Sequence, residues 1–453
     1  MSASIRRVAE PGDPSRGGPP AALHAVMFLY ASGLFDPRVS RTGASLAAAG
    51  YRVTLIGLRS PDQPDNEETE WGQIIRVGGH DTRRELDELK PARRGSRLLF
   101  RIRQARWLWR YAQAYVSWRA RATVAAIAAA DGASHTVWHG HDLTGLGPAA
   151  AARARAGGSL VYDSHELYLE SGSLPSLPGA ARRLLFAYER RLVRRADAVI
   201  TVNESIASEL SARYGVHLPA VVMNCPPLAL APTSRDASPL RSLPSLGSAR
   251  VVVIHGSLTL GKGLLESAAA VEHLPADCKL VMLGMGSLHD RLLALSLTDP
   301  LRGRLVVHPP VPQSELLAWL SGADVAVIAF TPDSLNQHYA TPNRLFESLA
   351  AGIPVVVSDF PEMRRVVEEH GVGAVCDPTD PGSIADAVGA LLGESASARA
   401  ERRARCRQAV EDTFNWERQV QGLLAIYRRL GDAAAPGLSQ PHDRGDASRR
   451  GVT

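Results

Sequence analysis

Short apolar runs recur along the chain, and most lead through a turn into apolar positions spaced three and four apart. Ala25 to Tyr30 passes through SGLFDPRVS into a helical pattern ending at Ala49, and Tyr51 to Leu58 follows. Strand, loop, helix, strand is a βαβ unit, which predicts a parallel sheet. Ile74 to Val77, Thr136 to His141, Ser159 to Asp163, Ala198 to Val202 and Ala220 to Met223 extend the series, mostly separated by Ala- and Arg-rich helical stretches. Residues 226–248 break it: Pro226, Pro227, Pro232, Pro239 and Pro244 stand among serines without periodicity, as in a linker. The alternation resumes at Val251 to His255 and continues through Lys279 to Leu283, Arg304 to Val307, Val325 to Phe330, Val355 to Val357 and Ala374 to Cys376. Helical patterns at Ile384 to Leu392 and Trp416 to Leu430 close the chain. The expectation is an α/β protein of two Rossmann-like doubly wound domains, residues 24–225 and 249–410, with a last helix over 411–432. Residues 1–23 and 433–453 have no apolar periodicity and are expected to be disordered.

Composition narrows the class. A chain of 453 residues is too long for one ordinary core. No run reaches the roughly 18 apolar residues of a spanning helix, and the polar N-terminus holds no stretch suited to a signal peptide. Cys225, Cys278, Cys376 and Cys406 are too scattered for a zinc site or a disulfide framework, which suggests a reducing cytoplasm. A net charge of +5 favours anionic partners.

Chemistry gathers in the second half. Tyr339 to Ser358, YATPNRLFESLAAGIPVVVS, reads as a loop, a helix entered at Pro342, a stop at Gly352 and a buried strand. The free N–H groups and positive dipole end of such a helix suit a diphosphate. Glu347 follows Asn343 by one turn, placed to accept hydrogen bonds from paired sugar hydroxyls. HGSLTLGKG, His255 to Gly263, follows the first strand of the second domain, where Gly256, Gly261 and Gly263 admit close approach and Lys262 is a cation for phosphate oxygens. LGMGS adds Gly284 and Gly286, and VPQSE begins at Val311.

Together these stretches resemble the donor-site signature of retaining, GT-B-fold glycosyltransferases of sequence family four, over residues 24 to 430. The resemblance implies a nucleotide-diphosphate sugar, of UDP or GDP type, held by Gly33, Gly256, Ser257, Lys262, Gly284, Gly286, Val311, Asn343, Arg344, Leu345 and Glu347. It also implies a last helix crossing back onto the first domain. Two positions depart from the family pattern: Tyr339 stands where the first of two glutamates is expected, and Ser257 where an arginine is, with Arg344 a candidate replacement cation.

On the first-domain side, WHGHDL ends a strand with His139 and His141 on one side. The resemblance gives His141 the role of facing the donor sugar, so that His141, Lys262 and Glu347 form the catalytic set. Asp163, His165 and Glu166 in YDSHELYLESG occupy the same rim, and with Asp36, Arg38, His139 and Tyr339 are expected to touch acceptor or close the cleft. Without a further ligand of suitable spacing, no catalytic metal or other cofactor is expected. Between Lys90 and Ala130 lie Arg93, Arg94, Arg97, Arg101, Arg103, Arg106, Arg110, Arg119 and Arg121 with no acidic residue until Asp131. Leu98, Ile102, Ala105, Trp109, Ala112 and Val116 recur at helical spacing, which predicts an apolar stripe that either packs on the core or meets an anionic membrane through residues 90–121. Nucleic acid is not an expected partner.

The resulting expectation is a metal-independent, retaining glycosyltransferase acting on a glycan or lipid-linked acceptor, peripheral at the inner membrane face. A sugar-nucleotide epimerase, a glycan phosphorylase and a non-catalytic scaffold of the same fold remain as alternatives.

Overall fold

A computed structural model describes residues 23–32, 36–78, 97–172, 174–228 and 237–434. Gly33, Arg93, Arg94, residues 1–22 and 435–453, and the side chains of Arg97, Leu98 and Arg101 lie outside the described residues.

The first domain carries β1 (Leu23–Phe28), β2 (Arg52–Leu58), β3 (Asn66–Thr69), β4 (Gly72–Val77), β5 (His135–His141), β6 (Ser159–Ser164), β7 (Ala198–Thr201) and β8 (Ala220–Val221). They form one sheet in the order β3-β4-β2-β1-β5-β6-β7-β8. The second carries β9 (Arg250–His255), β10 (Cys278–Leu283), β11 (Leu305–His308), β12 (Val325–Ile328), β13 (Val355–Ser358) and β14 (Gly373–Cys376), ordered β11-β10-β9-β12-β13-β14. Helices cover both faces, so the central strands are buried on both sides and their sequences run continuously apolar. The exception is β3, NEET, an antiparallel edge strand on β4 that carries no apolar signal.

Two segments differ from the sequence expectation, and a third decides between two alternatives the sequence left open. Of the region taken as linker, residues 237–248 join the second domain: Leu240 and Leu246 are fully buried in its core, and Arg241 pairs with Asp324 at 2.7 Å. Proline content masked these anchors. Secondly, the charged helix Ala396–Asp412 packs on the second domain through Cys406, Ala409 and Val410, a stripe too narrow to stand out among its arginines. After Asn415 the closing helix Trp416–Ala434 crosses over, and Trp416, Val420, Leu423, Tyr427 and Leu430 enter the core of the first domain. Thirdly, the helix Arg97–Ala129 turns its predicted stripe outward. Ile102, Ala105, Trp109, Ala112 and Val116 are exposed, Trp109 by 67%, while Tyr111, Tyr115, Trp118, Ala122 and Ala126 make the contacts with the core.

Candidate active site

In each sheet the strand order reverses beside the first strand of its domain, β1 between β2 and β5, β9 between β10 and β12. Connections leave such a point in opposite directions and open a crevice at the strands' carboxyl ends. The loops there line a cleft of about 800 Å³ between the two domains.

The second-domain wall is built around Lys262. Gly263 takes φ 61°, and a Cβ there would lie 1.9 Å from the Ala329 carbonyl oxygen, so the loop turns as it does only with glycine. Lys262 Nζ is thereby set 3.8 Å from the centre of the Phe330 ring, and the Arg344 guanidinium lies 5.3 Å from the same ring. Arg344 Nη2 donates weakly to the Ser257 carbonyl oxygen at 3.5 Å, whereas Nη1 is buried without a partner. Among the described residues neither cation pairs with a carboxylate. Burial, with the charge of Arg344 adding to it, lowers the Lys262 pKa to about 8, and burial lowers that of Arg344 to about 10. Helix Asn343–Ala350 begins after Pro342 without a side-chain cap, leaving N–H groups of its first turn toward the cleft. One turn on, Glu347 accepts from Gln313 Nε2 at 3.1 Å and meets His255 Nε2 at 3.0 Å. Burial pushes its carboxyl up, but His255, Gln313 and Arg344 outweigh that and hold it below its ordinary value. Gly284 and Gly286 let the loop after β10 lie against the Gly256–Leu258 backbone, and Val311 borders the cleft.

The first-domain wall rests on a buried charge cluster. Arg38 donates to both Asp163 oxygens, at 2.6 and 2.9 Å, and to the Val222 carbonyl oxygen at 2.6 Å. Asp163 Oδ2 also lies 3.4 to 3.6 Å from His139, His141 and His165. Burial favours its neutral form, but these partners prevail and hold its pKa well below the usual carboxylate range. His139 stacks on His141 at 4.5 Å and meets Tyr427 of the closing helix at 2.7 Å. Burial and then His139 lower the His141 pKa to about 3.

The structure therefore sorts the expected residues. Asp36, Arg38, His165, Glu166, Gly256, Ser257, Lys262, Gly284, Val311, Asn343, Arg344 and Glu347 border the cleft. His139, His141 and Asp163 are sealed beneath it, with both imidazoles at 0% exposure. Leu345 contributes no side chain to it, because its helical position points into the second-domain core. Tyr339 packs against the first domain's core, and its carbonyl oxygen accepts from Asn203 Nδ2 at 2.6 Å. Asn336 clasps the opposite wall, accepting from the Leu167 N–H at 2.9 Å and donating to Glu166 at 3.1 Å.

Family models for Glycosyltransferase Family 4 and for Glycosyl transferases group 1 match residues 38–226 and 249–394, most of the chain. The chain belongs to glycosyltransferase family 4. It is 30% identical over 253 residues to a D-inositol 3-phosphate glycosyltransferase of Xylanimonas cellulosilytica, a match spanning 53% of this chain and 58% of that relative. It is 30% identical over 318 residues to a glycogen synthase of Mycobacterium tuberculosis, 68% of this chain and 71% of that one. Among solved structures, sucrose-phosphate synthase from Thermosynechococcus elongatus superposes with a TM-score of 0.67 at 20% identity, covering 90% of this chain and 100% of that one. The UDP-glucose complex of Anabaena HepE gives 0.62 at 14% identity, with 90% and 99% covered. These likenesses establish the fold, GT-B, with two Rossmann-like domains across a cleft.

Family membership and the donor signature left His255, Gln313, Phe330, Asn336 and Asp142 unremarked as site residues. His255 and Phe330 follow or end strands at the switch point, a positional signal available in the sequence. Asn336 and Asp142 become visible only once two loops distant in sequence meet.

Proposed function

We propose that this family 4 protein transfers a glycosyl group from a nucleotide-diphosphate sugar to an acceptor hydroxyl, with retention and without a resident metal. The observation that carries the proposal is the pair Lys262, half-buried, and Arg344, buried, two cations on one aromatic ring without a carboxylate partner among the described residues, beside an uncapped helix start. Unpaired buried charge is destabilising, and a diphosphate between them would neutralise it. Glu347, held by His255 and Gln313, would take the ribose hydroxyls. In a front-face reaction the departing phosphate oxygen accepts the acceptor's proton while Lys262, Arg344 and the helix start stabilise the charge developing on it. Asp163, with both oxygens bonded by Arg38, is an ion-pair partner and a poor metal ligand. The test is a thermal-shift panel of UDP, GDP, ADP and TDP, with EDTA or with divalent metal, on the wild type and Glu347→Ala. One diphosphate is expected to raise the melting temperature of the wild type alone, in EDTA as in metal. No shift at millimolar concentration overturns the reading.

We further propose that the acceptor is carried by an anionic lipid surface, met by the helix Arg97–Ala129. Its exposed Trp109 and Val116 are flanked by exposed Arg103, Arg106 and Arg110, with no acidic residue on the helix. Among the described residues no helix is long and apolar enough to cross a membrane. Co-sedimentation with phosphatidylglycerol vesicles, lost in Trp109→Glu and absent with phosphatidylcholine, is the expected result. Equal recovery with both lipids refutes it.

A further inference from the structure

Two opposite charges share one turn of the donor helix and do not pair. Arg344 and Glu347 stand three residues apart on helix Asn343–Ala350, the spacing at which a guanidinium and a carboxylate meet on one face. Both side chains end against the carboxyl end of β9. Arg344 rests on Gly256, where a Cβ would lie 3.3 Å from Nη2, and reaches the Ser257 carbonyl oxygen at 3.5 Å. Glu347 Oε2 meets His255 Nε2 at 3.0 Å, one residue before that glycine. The two charges act on each other: burial lowers the Arg344 pKa and Glu347 opposes it, and for Glu347 the upward push of burial is overcome by His255, Gln313 and then Arg344. Yet Arg344 Nη1 is buried without a partner, and among the described residues no carboxylate pairs with this arginine. Buried opposite charges this close combine unless something holds them apart. His255 does so. It is 2% exposed and fixed by its strand. The Glu347 carboxyl is held below its ordinary value, so it is ionised and only accepts, and His255 Nε2 carries the hydrogen. Gln313 adds a second bond, at 3.1 Å, from an exposed side chain.

We propose that His255 is a positioning residue that keeps Glu347 off Arg344, so that one helix turn offers a carboxylate to the ribose and an unpaired guanidinium to the diphosphate at the same time. The inference rests on the donor reading above. A carboxylate has about four lone-pair sites. His255 and Gln313 occupy one on each oxygen and leave one on each for the ribose hydroxyls. Without the His255 bond, Glu347 turns along its own helix face to Arg344 and forms the ion pair that their spacing favours. The ribose then loses its acceptor and the diphosphate loses a cation. Deleting Glu347 outright removes only the first of these. The carboxylate therefore aids nucleotide binding beside His255 and opposes it when His255 is gone.

The experiment titrates the full chain with UDP, GDP, ADP and TDP in a calorimeter, for wild type, Glu347→Ala, His255→Leu, His255→Gln and the double variant His255→Leu/Glu347→Ala. For the nucleotide that wild type binds, His255→Leu is expected to bind about tenfold more weakly than Glu347→Ala, as for one charge-assisted hydrogen bond lost to the phosphate. Adding Glu347→Ala to His255→Leu is expected to restore that factor. Such a gain, from removing a second residue of the site, does not arise if His255 only supports the fold. His255→Gln keeps a donor and should recover most of the affinity that His255→Leu loses. Melting temperatures report which variants fold, and His255→Asn, polar but too short to reach Glu347, replaces the leucine variant if that one does not. Binding by His255→Leu as tight as by Glu347→Ala, or a double variant no tighter than His255→Leu, overturns the inference and leaves the donor site standing. Wild-type protein that binds none of the four nucleotides overturns the donor reading, and the inference with it.

Discussion

Replacing Lys262 by Met is expected to stabilise the ligand-free protein while removing its response to diphosphate. A pKa lowered from 10.5 to about 8 means the folded state disfavours the ammonium by about 3 kcal/mol relative to the unfolded chain. The Phe330 ring, 3.8 Å from Nζ, returns about 1 kcal/mol by cation–π attraction. Methionine keeps the packing on the ring, so the net gain at pH 7 is about 2 kcal/mol. For an unfolding unit the size of the second domain this raises the melting temperature by about 4 °C or more. The pH dependence fixes the sign. Below pH 8 the folded state carries the full penalty of the charged lysine; between 8 and 10.5 it holds fewer protons than the unfolded chain, so wild-type stability rises with pH. The advantage of Lys262→Met should therefore fade across that window. Differential scanning calorimetry between pH 7 and pH 10, with and without UDP or GDP, measures both effects. A variant melting at or below wild type at pH 7, or an advantage that persists unchanged at high pH, refutes the reasoning.

Arg38→Met leaves Asp163 buried without its cation and is expected to lose about 3–5 kcal/mol in urea unfolding. Asp163 with Arg38 contributes stability above its unfolded pKa that is lost as pH falls through the lower folded one, so the deficit of Arg38→Met should be largest near neutrality and narrow as pH falls through the carboxylate range. Gly263→Ala sets a Cβ 1.9 Å from the Ala329 oxygen at φ 61° and should destabilise by more than about 2 kcal/mol; an unshifted urea midpoint would show that this loop relaxes freely. Trp109→Ala is expected within about 0.5 kcal/mol of wild type and Trp118→Ala about 3–5 kcal/mol below it, and the reverse order would mean that the helix packs by its other face.

The strands were legible because both sheets are covered on both faces, so each central strand is a continuous apolar run. The placement of Lys262, Arg344 and Glu347 at the cleft was legible because a glycine-bounded loop and a helix start occupy fixed offsets from strand ends. The orientation of helix Arg97–Ala129 was not, since it offers two stripes at helical spacing and Trp118, rather than Trp109, is the one that reaches β2 through a bond to the Gly57 oxygen at 3.1 Å. Nor was the burial of His139 and His141 beneath the cleft, which leaves His165 at its border. Period-two alternation correctly put His139 and His141 on one face, but that face is covered by Tyr427, which comes from the far end of the sequence.

That covering helix also bears on how the protein is made. Trp416, Val420, Leu423, Ile426, Tyr427 and Leu430 complete a core whose other buried members belong to the first half of the chain. During synthesis they emerge only after the entire second domain, at common elongation rates roughly tens of seconds later. The domain begun first is thus finished last, and until then the bare face of its sheet, including the side on which His139 lies, is open to chaperones and to other nascent chains.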